Sequence, residues 1–310
     1  MPTAKTPPMP LTGVIIMTYG SATTADHVAE YMHNIYGPKA SDELIADFEE
    51  RYRLVGRSPL IDITVAQATA LQTELGDRYI VRAGMQHSDP TIDSAVADIK
   101  AAGANKLVGI ILSPQFSSFI MEGYRTKLLA AAANHGFTSD QVIVAGPWAT
   151  EPHFIGLLTR RVTDGLAKLK KQYNRTPPVV FTTHSLPERV VAKDPSYLDQ
   201  LAATTAAVLQ RLPHPLPEHY SAYQSAGHTP EPWLKPDLVD ILATLREHNE
   251  PAVFIVPIQF LANHLEILYD LDLAAGEQCR DFGIAYHRIE LPNTDPQFIQ
   301  ALAAIARKPN

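Results

Sequence analysis

Short apolar runs rich in Val and Ile recur along the whole chain, each followed by a longer stretch with helical spacing. Such runs suit strands covered on both faces, and their alternation with helices is the pattern of a parallel sheet wrapped by helices. The spacing predicts strands over 13–18, 79–83, 106–112 and 142–145, and again over 179–183, 220–223, 252–257 and 284–287. Helices are predicted over 25–35, 42–52, 65–75, 92–101 and 124–134 in the first half, and over 197–211, 237–247, 264–270 and 296–306 in the second. A long helix over 152–171 leads into a Pro-rich stretch ending at Pro177-Pro178, which reads as crossover and linker. The fold class is therefore α/β: two similar doubly wound domains, 10–172 and 173–310, each with a four-stranded parallel sheet and a cleft between them.

Composition removes several function classes. Twenty-six basic against 33 acidic residues give a formal charge of −7, and no run of Lys or Arg supplies the footprint of a nucleic-acid binder. The single Cys279 can form no intramolecular disulfide and no thiolate set for zinc or an iron–sulfur cluster, which fits a reducing cytoplasm. No apolar run reaches the length of a membrane span, and the opening MPTAKTPPMP lacks the apolar core of a signal peptide. Twelve histidines include no His-Glu-x-x-His, and His214, His219 and His228 stand in Pro-rich or turn-like surroundings. No glycine-rich phosphate loop follows a strand, and Ser185 is not set in a G-x-S-x-G elbow.

In sheets of this kind ligands bind beyond the carboxyl ends of the strands. Two ionisable residues stand there: His184 closes one apolar run, and Glu266 opens a helix after another. An imidazole and a carboxylate suit ferrous iron and can accept protons near neutral pH. A polar residue after a strand is also often a helix cap or a loop contact, so position alone leaves both readings open. Glu266 and Asp270, four residues apart, share a helical face that could hold a cation or simply be solvated. Tyr19, Phe116, Phe119, Tyr124, Tyr223, Trp233 and Phe260 gather near the same strand ends, as walls for a flat apolar ligand or as ordinary core.

Six motifs then occur in order: Met17-Thr18-Tyr19-Gly20; Arg57-Ser58-Pro59-Leu60; Ser113-Pro114-Gln115-Phe116-Ser117; Thr183-His184-Ser185-Leu186-Pro187; Tyr223-Gln224-Ser225-Ala226-Gly227 with Pro232-Trp233-Leu234; and Asn263-His264-Leu265-Glu266-Ile267-Leu268-Tyr269-Asp270. On these motifs the chain resembles ferrochelatase from about Val14 to Ala306, in the form found in Gram-positive bacteria. The resemblance implies insertion of ferrous iron into coproporphyrin III, with protoporphyrin IX, another metal such as cobalt, or a porphyrin carrier without turnover as alternatives. It implies His184 and Glu266 as the catalytic pair, with Asp270 beside them as metal ligand. It also implies Tyr19 as axial ligand of the product iron, and Tyr19, Ser58, His87, Tyr124, Ser225 and Trp233 against the porphyrin, where Arg57 is added as a candidate cation. Iron enters as substrate, no tightly bound cofactor is expected, and the expected unit is a cytoplasmic monomer.

Three departures from the family pattern stand out. Ile35 and Tyr36 stand where the family carries paired arginines, so Arg57 or Arg125 is the expected replacement for holding propionates. Gln86 replaces a lysine before His87. Ala274 stands four beyond Asp270, which truncates an outer carboxylate ladder and with it any magnesium site.

Overall fold

The computed structural model describes residues 11–227 and 229–309; the opening ten residues and His228 lie outside them. Among the described residues eight strands form two four-stranded sheets with all neighbours parallel, ordered β2-β1-β3-β4 and β6-β5-β7-β8. The first holds β1 (Thr12–Thr18), β2 (Tyr79–Met85), β3 (Lys106–Ile111) and β4 (Val142–Val144); the second holds β5 (Val179–His184), β6 (His219–Gln224), β7 (Ala252–Pro257) and β8 (Ala285–Arg288).

The apolar runs have the cause that parallel packing requires. In β1, Val14, Ile15, Ile16 and Met17 are all 0 % exposed, so both faces are covered. Val14 and Ile16 join a layer with Phe181 and Val256 of the second sheet, whereas Ile15 and Met17 face Ile92, Val96 and Leu128 on the outer side. Each such side chain contributes about 1.5–3 kcal/mol by leaving water. Val253 and Ile255 of β7 do the same on the outer face of the second sheet, against Leu242 and Leu245.

The helices are α1 (Val28–Tyr36), α2 (Asp42–Val55), α3 (Leu60–Leu75), α4 (Ile92–Ala101), α5 (Ser118–Asn134), α6 (Pro152–Tyr173), α7 (Glu188–Lys193), α8 (Ser196–Leu209), α9 (Leu238–Glu247), a π-helix (Ile267–Ala275), α10 (Gly276–Asp281) and α11 (Pro296–Arg307). Local caps start several of them: Ser41 accepts from Leu44 N, Thr91 from Ser94 N, and Glu151, just ahead of Pro152, from Phe154 N. Two helices tie the halves together. α6 packs on α8 and β7, and α11 returns to pack on α3 and β3 of the first sheet as well as on α6.

The short helices α7 and α10 lie outside the sequence expectation, and three expected helices differ from it in bounds or type. α3 starts at Leu60 rather than 65, because its first turns bury the polar Thr64 and Gln67, which interrupt the apolar period. α5 starts at Ser118 rather than 124; its first N–H is received by Asp194 of the second half at 3.1 Å, a cap supplied by tertiary structure. The segment expected as a helix over 264–270 becomes a π-helix whose buried Ile267, Leu271 and Ala275 recur every fourth residue, wider than the α repeat.

Candidate active site

The carboxyl ends of both sheets open onto one cleft of about 800 Å³. At its first wall the ladder continues past the strands, with Gln86 N donating to Thr18 O and His87 N to Tyr19 O. Gly20 then turns with φ +95°, where an added Cβ would lie 2.4 Å from Ser88 Oγ and 3.1 Å from Ser88 N. Glycine is thus required to present Tyr19 at this edge. Tyr31 OH donates to Gly20 O and fixes the same turn from α1.

The second wall carries the ionisable groups. His184 closes β5; its main-chain N–H donates to Gln259 Oε1 at 2.9 Å and its ring Nδ1 faces Ser185 O. A carbonyl only accepts, so Nδ1 carries a hydrogen and Nε2 is the ring nitrogen turned toward the cleft. That Nε2 lies 3.7 Å from Glu266 Oε2. His264 repeats the arrangement from the other side: Nδ1 donates to Ala262 O at 3.0 Å, and Nε2 lies 3.7 Å from the same Glu266 Oε2. Oε2 is itself shielded and has no hydrogen-bond partner among the described residues. Two imidazole nitrogens therefore converge on one shielded carboxylate oxygen, an arrangement that can take up a proton or a cation. Burial pushes the Glu266 carboxyl up, but the imidazoles of His184 and His264 and the Arg51 guanidinium outweigh it and hold the group down at about 2.

One π-helical turn further, Asp270 accepts a short hydrogen bond from Ser225 Oγ. Burial, and then the neighbouring Glu266 charge, push the Asp270 carboxyl up, so of the two acids Asp270 takes a proton first. Ser225 holds φ +55°, an uncommon value for a residue with a side chain, and the bond to Asp270 anchors it there. Gly227 allows close approach of Trp233, since a Cβ would meet two ring carbons at 2.7 Å. Among the described residues no three His, Cys, Asp or Glu side chains are grouped tightly enough to hold a metal by themselves.

On the first wall, Tyr19 stacks at a tilt against His87 with ring centroids 4.5 Å apart. Burial, then Tyr36 and Glu266, push the Tyr19 phenol up to about 12. His87 donates from Nδ1 to Asn34 O, and burial lowers its imidazole against the pull of that bond. Tyr124 lines the cleft and is almost wholly buried. Ser58 lies behind the wall, its hydroxyl receiving a hydrogen bond from Ser21 Oγ at 2.8 Å. Arg57 and Arg125 are not in the described lining, and the exposed Arg57 guanidinium is paired with Asp62 on α3.

The cation that does reach the cleft is Arg51 of α2, the one arginine or lysine among the described lining residues. Its guanidinium sits 5.0 Å from the Phe48 ring and 5.2 Å from the Tyr269 ring, with Asp47 at 2.8 Å. Sequence reasoning missed it; the available signal was Phe48, Arg51 and Tyr52 on consecutive turns of one short helix. It also gave no role to His264, which stands two residues before Glu266 in the same motif.

Comparison with known proteins agrees with this geometry. A family model described as "Ferrochelatase" matches residues 11–309. A protein named "Coproporphyrin III ferrochelatase" from Geobacillus sp. (strain WCH70) is 33% identical over 305 residues, covering 96% of this chain and 97% of the relative. One named "Ferrochelatase" from Herpetosiphon aurantiacus is 34% identical over 301 residues, covering 95% and 97%. Among solved structures, "SirB from Bacillus subtilis with Fe3+" superposes with a TM-score of 0.59 at 10% identity, covering 96% of this chain and 95% of that one, and so shares the fold. A family match over nearly the whole length, on a chelatase-like pair of sheets whose shared cleft holds His184 and Glu266 face to face, means that the chain belongs to the ferrochelatase family.

Proposed function

We propose that this protein inserts ferrous iron into coproporphyrin III to give coproheme, a step of haem biosynthesis in the cytoplasm. The observation that carries the reading is the convergence of His184 Nε2 and His264 Nε2 on Glu266 Oε2, each 3.7 Å from an oxygen that has no hydrogen-bond partner among the described residues. Insertion exchanges one Fe²⁺ for the two pyrrole protons of the free macrocycle, so the side chains must hold a cation briefly and take up protons. An imidazole and a carboxylate do both. Asp270, whose carboxyl is pushed up, is the next acceptor outward from Glu266.

The macrocycle lies between the walls, against apolar surface from Ile120, Leu186, Trp233 and Phe260. Contacts with its rim bend the ring and tilt pyrrole nitrogens toward the His184 side, a strain of about 1–5 kcal/mol in comparable sites. Arg51 pairs with a propionate. Tyr19, on the opposite wall, stays a neutral phenol until iron is seated and then serves as axial ligand. The substrate is supported by the relatives named for coproporphyrin III, and the lone Cys279 suits a reducing compartment.

Anaerobic incubation with ferrous iron and either coproporphyrin III or protoporphyrin IX, followed by loss of free-base fluorescence and visible absorption, tests the reading. Multiple turnovers with coproporphyrin III are expected. Insertion into protoporphyrin IX alone would overturn the substrate, and binding without turnover would overturn the activity.

A further inference from the structure

We infer that Gln67 is a positioning residue for Glu266, acting through Asn293 and Asn263 on the segment that delivers the carboxylate into the cleft. The inference rests on the insertion activity proposed above.

Between β7 and the helical turn at Leu265, residues 258–264 form no regular structure; Ile258 N still donates to Thr182 O at 3.0 Å, and beyond it no ladder fixes their course. Side-chain amides do so instead. Gln67, in the middle of α3 and 0 % exposed, crosses from the first half of the chain to donate to Asn293 O at 2.8 Å and, at 3.5 Å, to Leu261 O. Asn293 holds φ +47°; its N–H donates to Leu261 O at 2.8 Å, and its Oδ1 accepts from Asn263 N at 3.0 Å. His264 and Glu266 follow directly.

A second set of amides holds the start of the same segment. Gln115, also 0 % exposed and from the first half, donates to Ile258 O at 3.2 Å. Gln259 Oε1 accepts from His184 N at 2.9 Å and from Tyr197 OH at 3.2 Å. The segment is thus referenced to β5 at one end and to α3 at the other. The spacing between His184 and Glu266 depends on both. Without the Gln67 donor, Asn293 O loses its buried partner, Leu261 O keeps only Asn293 N, and the tie between α3 and the segment is lost. Displacing a reacting group by 1 Å can cost about 10²-fold in rate.

The test uses Gln67→Met, which keeps the length and removes the donor, and Asn293→Gly, which keeps the positive φ and the carbonyl but removes the acceptor for Asn263. Thermal unfolding, coproporphyrin affinity and kcat for iron insertion are read for the parent, each single variant and the double variant. Each single variant is expected to lose about tenfold or more in kcat while porphyrin affinity stays within about threefold, and the double variant is expected to be no worse than the poorer single, because both lie on one path. Should Gln67→Met fail to fold, Asn293→Gly decides alone. Parent-like kcat in the single variants, losses that multiply in the double, or an affinity loss as large as the kcat loss would each overturn the inference. A parent that inserts no iron would instead overturn the functional reading on which it rests.

Discussion

Replacing Glu266 by Gln removes one charge and leaves the shape of the side chain nearly unchanged, so its effect can be worked from geometry. At the 3.7 Å separating its carboxylate from His184 Nε2, two unit charges interact by about 4.5 kcal/mol at an effective dielectric of 20 and about 1 kcal/mol in water. The side chains keep 29% and 37% of their surface open, so solvent screens part of the interaction. An intermediate value of about 2–3 kcal/mol corresponds to a loss of roughly 30- to 200-fold if the stabilisation is needed as iron arrives and protons leave. The assay is anaerobic insertion of ferrous iron into coproporphyrin III, with kcat from product absorption and affinity from quenching of protein fluorescence. A kcat near the parent's, or an affinity loss that accounts for the whole effect, would refute the assignment of Glu266 to the chemical step.

Because the Glu266 carboxyl is held at about 2, below the ordinary carboxylate value, it stays charged until strongly acid pH; the ratio of parent to Glu266→Gln activity should therefore be flat between about pH 5 and pH 8, checked by parallel pH–rate profiles. Tyr19→Phe should change the visible spectrum of the bound product while leaving the insertion rate close to the parent's, as measured in the same cuvette. Arg51→Ala should weaken coproporphyrin binding by about tenfold, the order expected of a charge-assisted hydrogen bond, whereas Arg57→Ala, paired with Asp62 away from the lining, should bind like the parent in a fluorescence titration.

The strands were legible because parallel sheets bury both faces, and a run such as Val14–Met17 has no other stable home. His184 and Glu266 were legible for a related reason: strand ends converge in this topology, so a polar residue after each of two central strands is brought to one cleft. What escaped depended on partners distant in sequence. The start of α5 is set by Asp194, 76 positions away from Ser118. Arg51 was hidden because its place in the cleft depends on Tyr269 of the π-helix, which no local pattern on α2 reveals. Arg57, adjacent to a recognisable motif, was the more visible arginine, yet Asp62 five residues on takes its guanidinium.

The return of α11 to the first sheet bears on the order in which the chain matures. Phe298, Leu302 and Ile305 share one buried layer with Val14, Ile16 and Leu71, so β1 and α11, far apart along the chain, finish the same interior. α11 is made after every strand of both sheets, and until it docks one side of α3 has no cover. A nascent chain stalled before Pro296 should accordingly be cut by protease within its amino-terminal half, and release of the full chain should abolish the cutting.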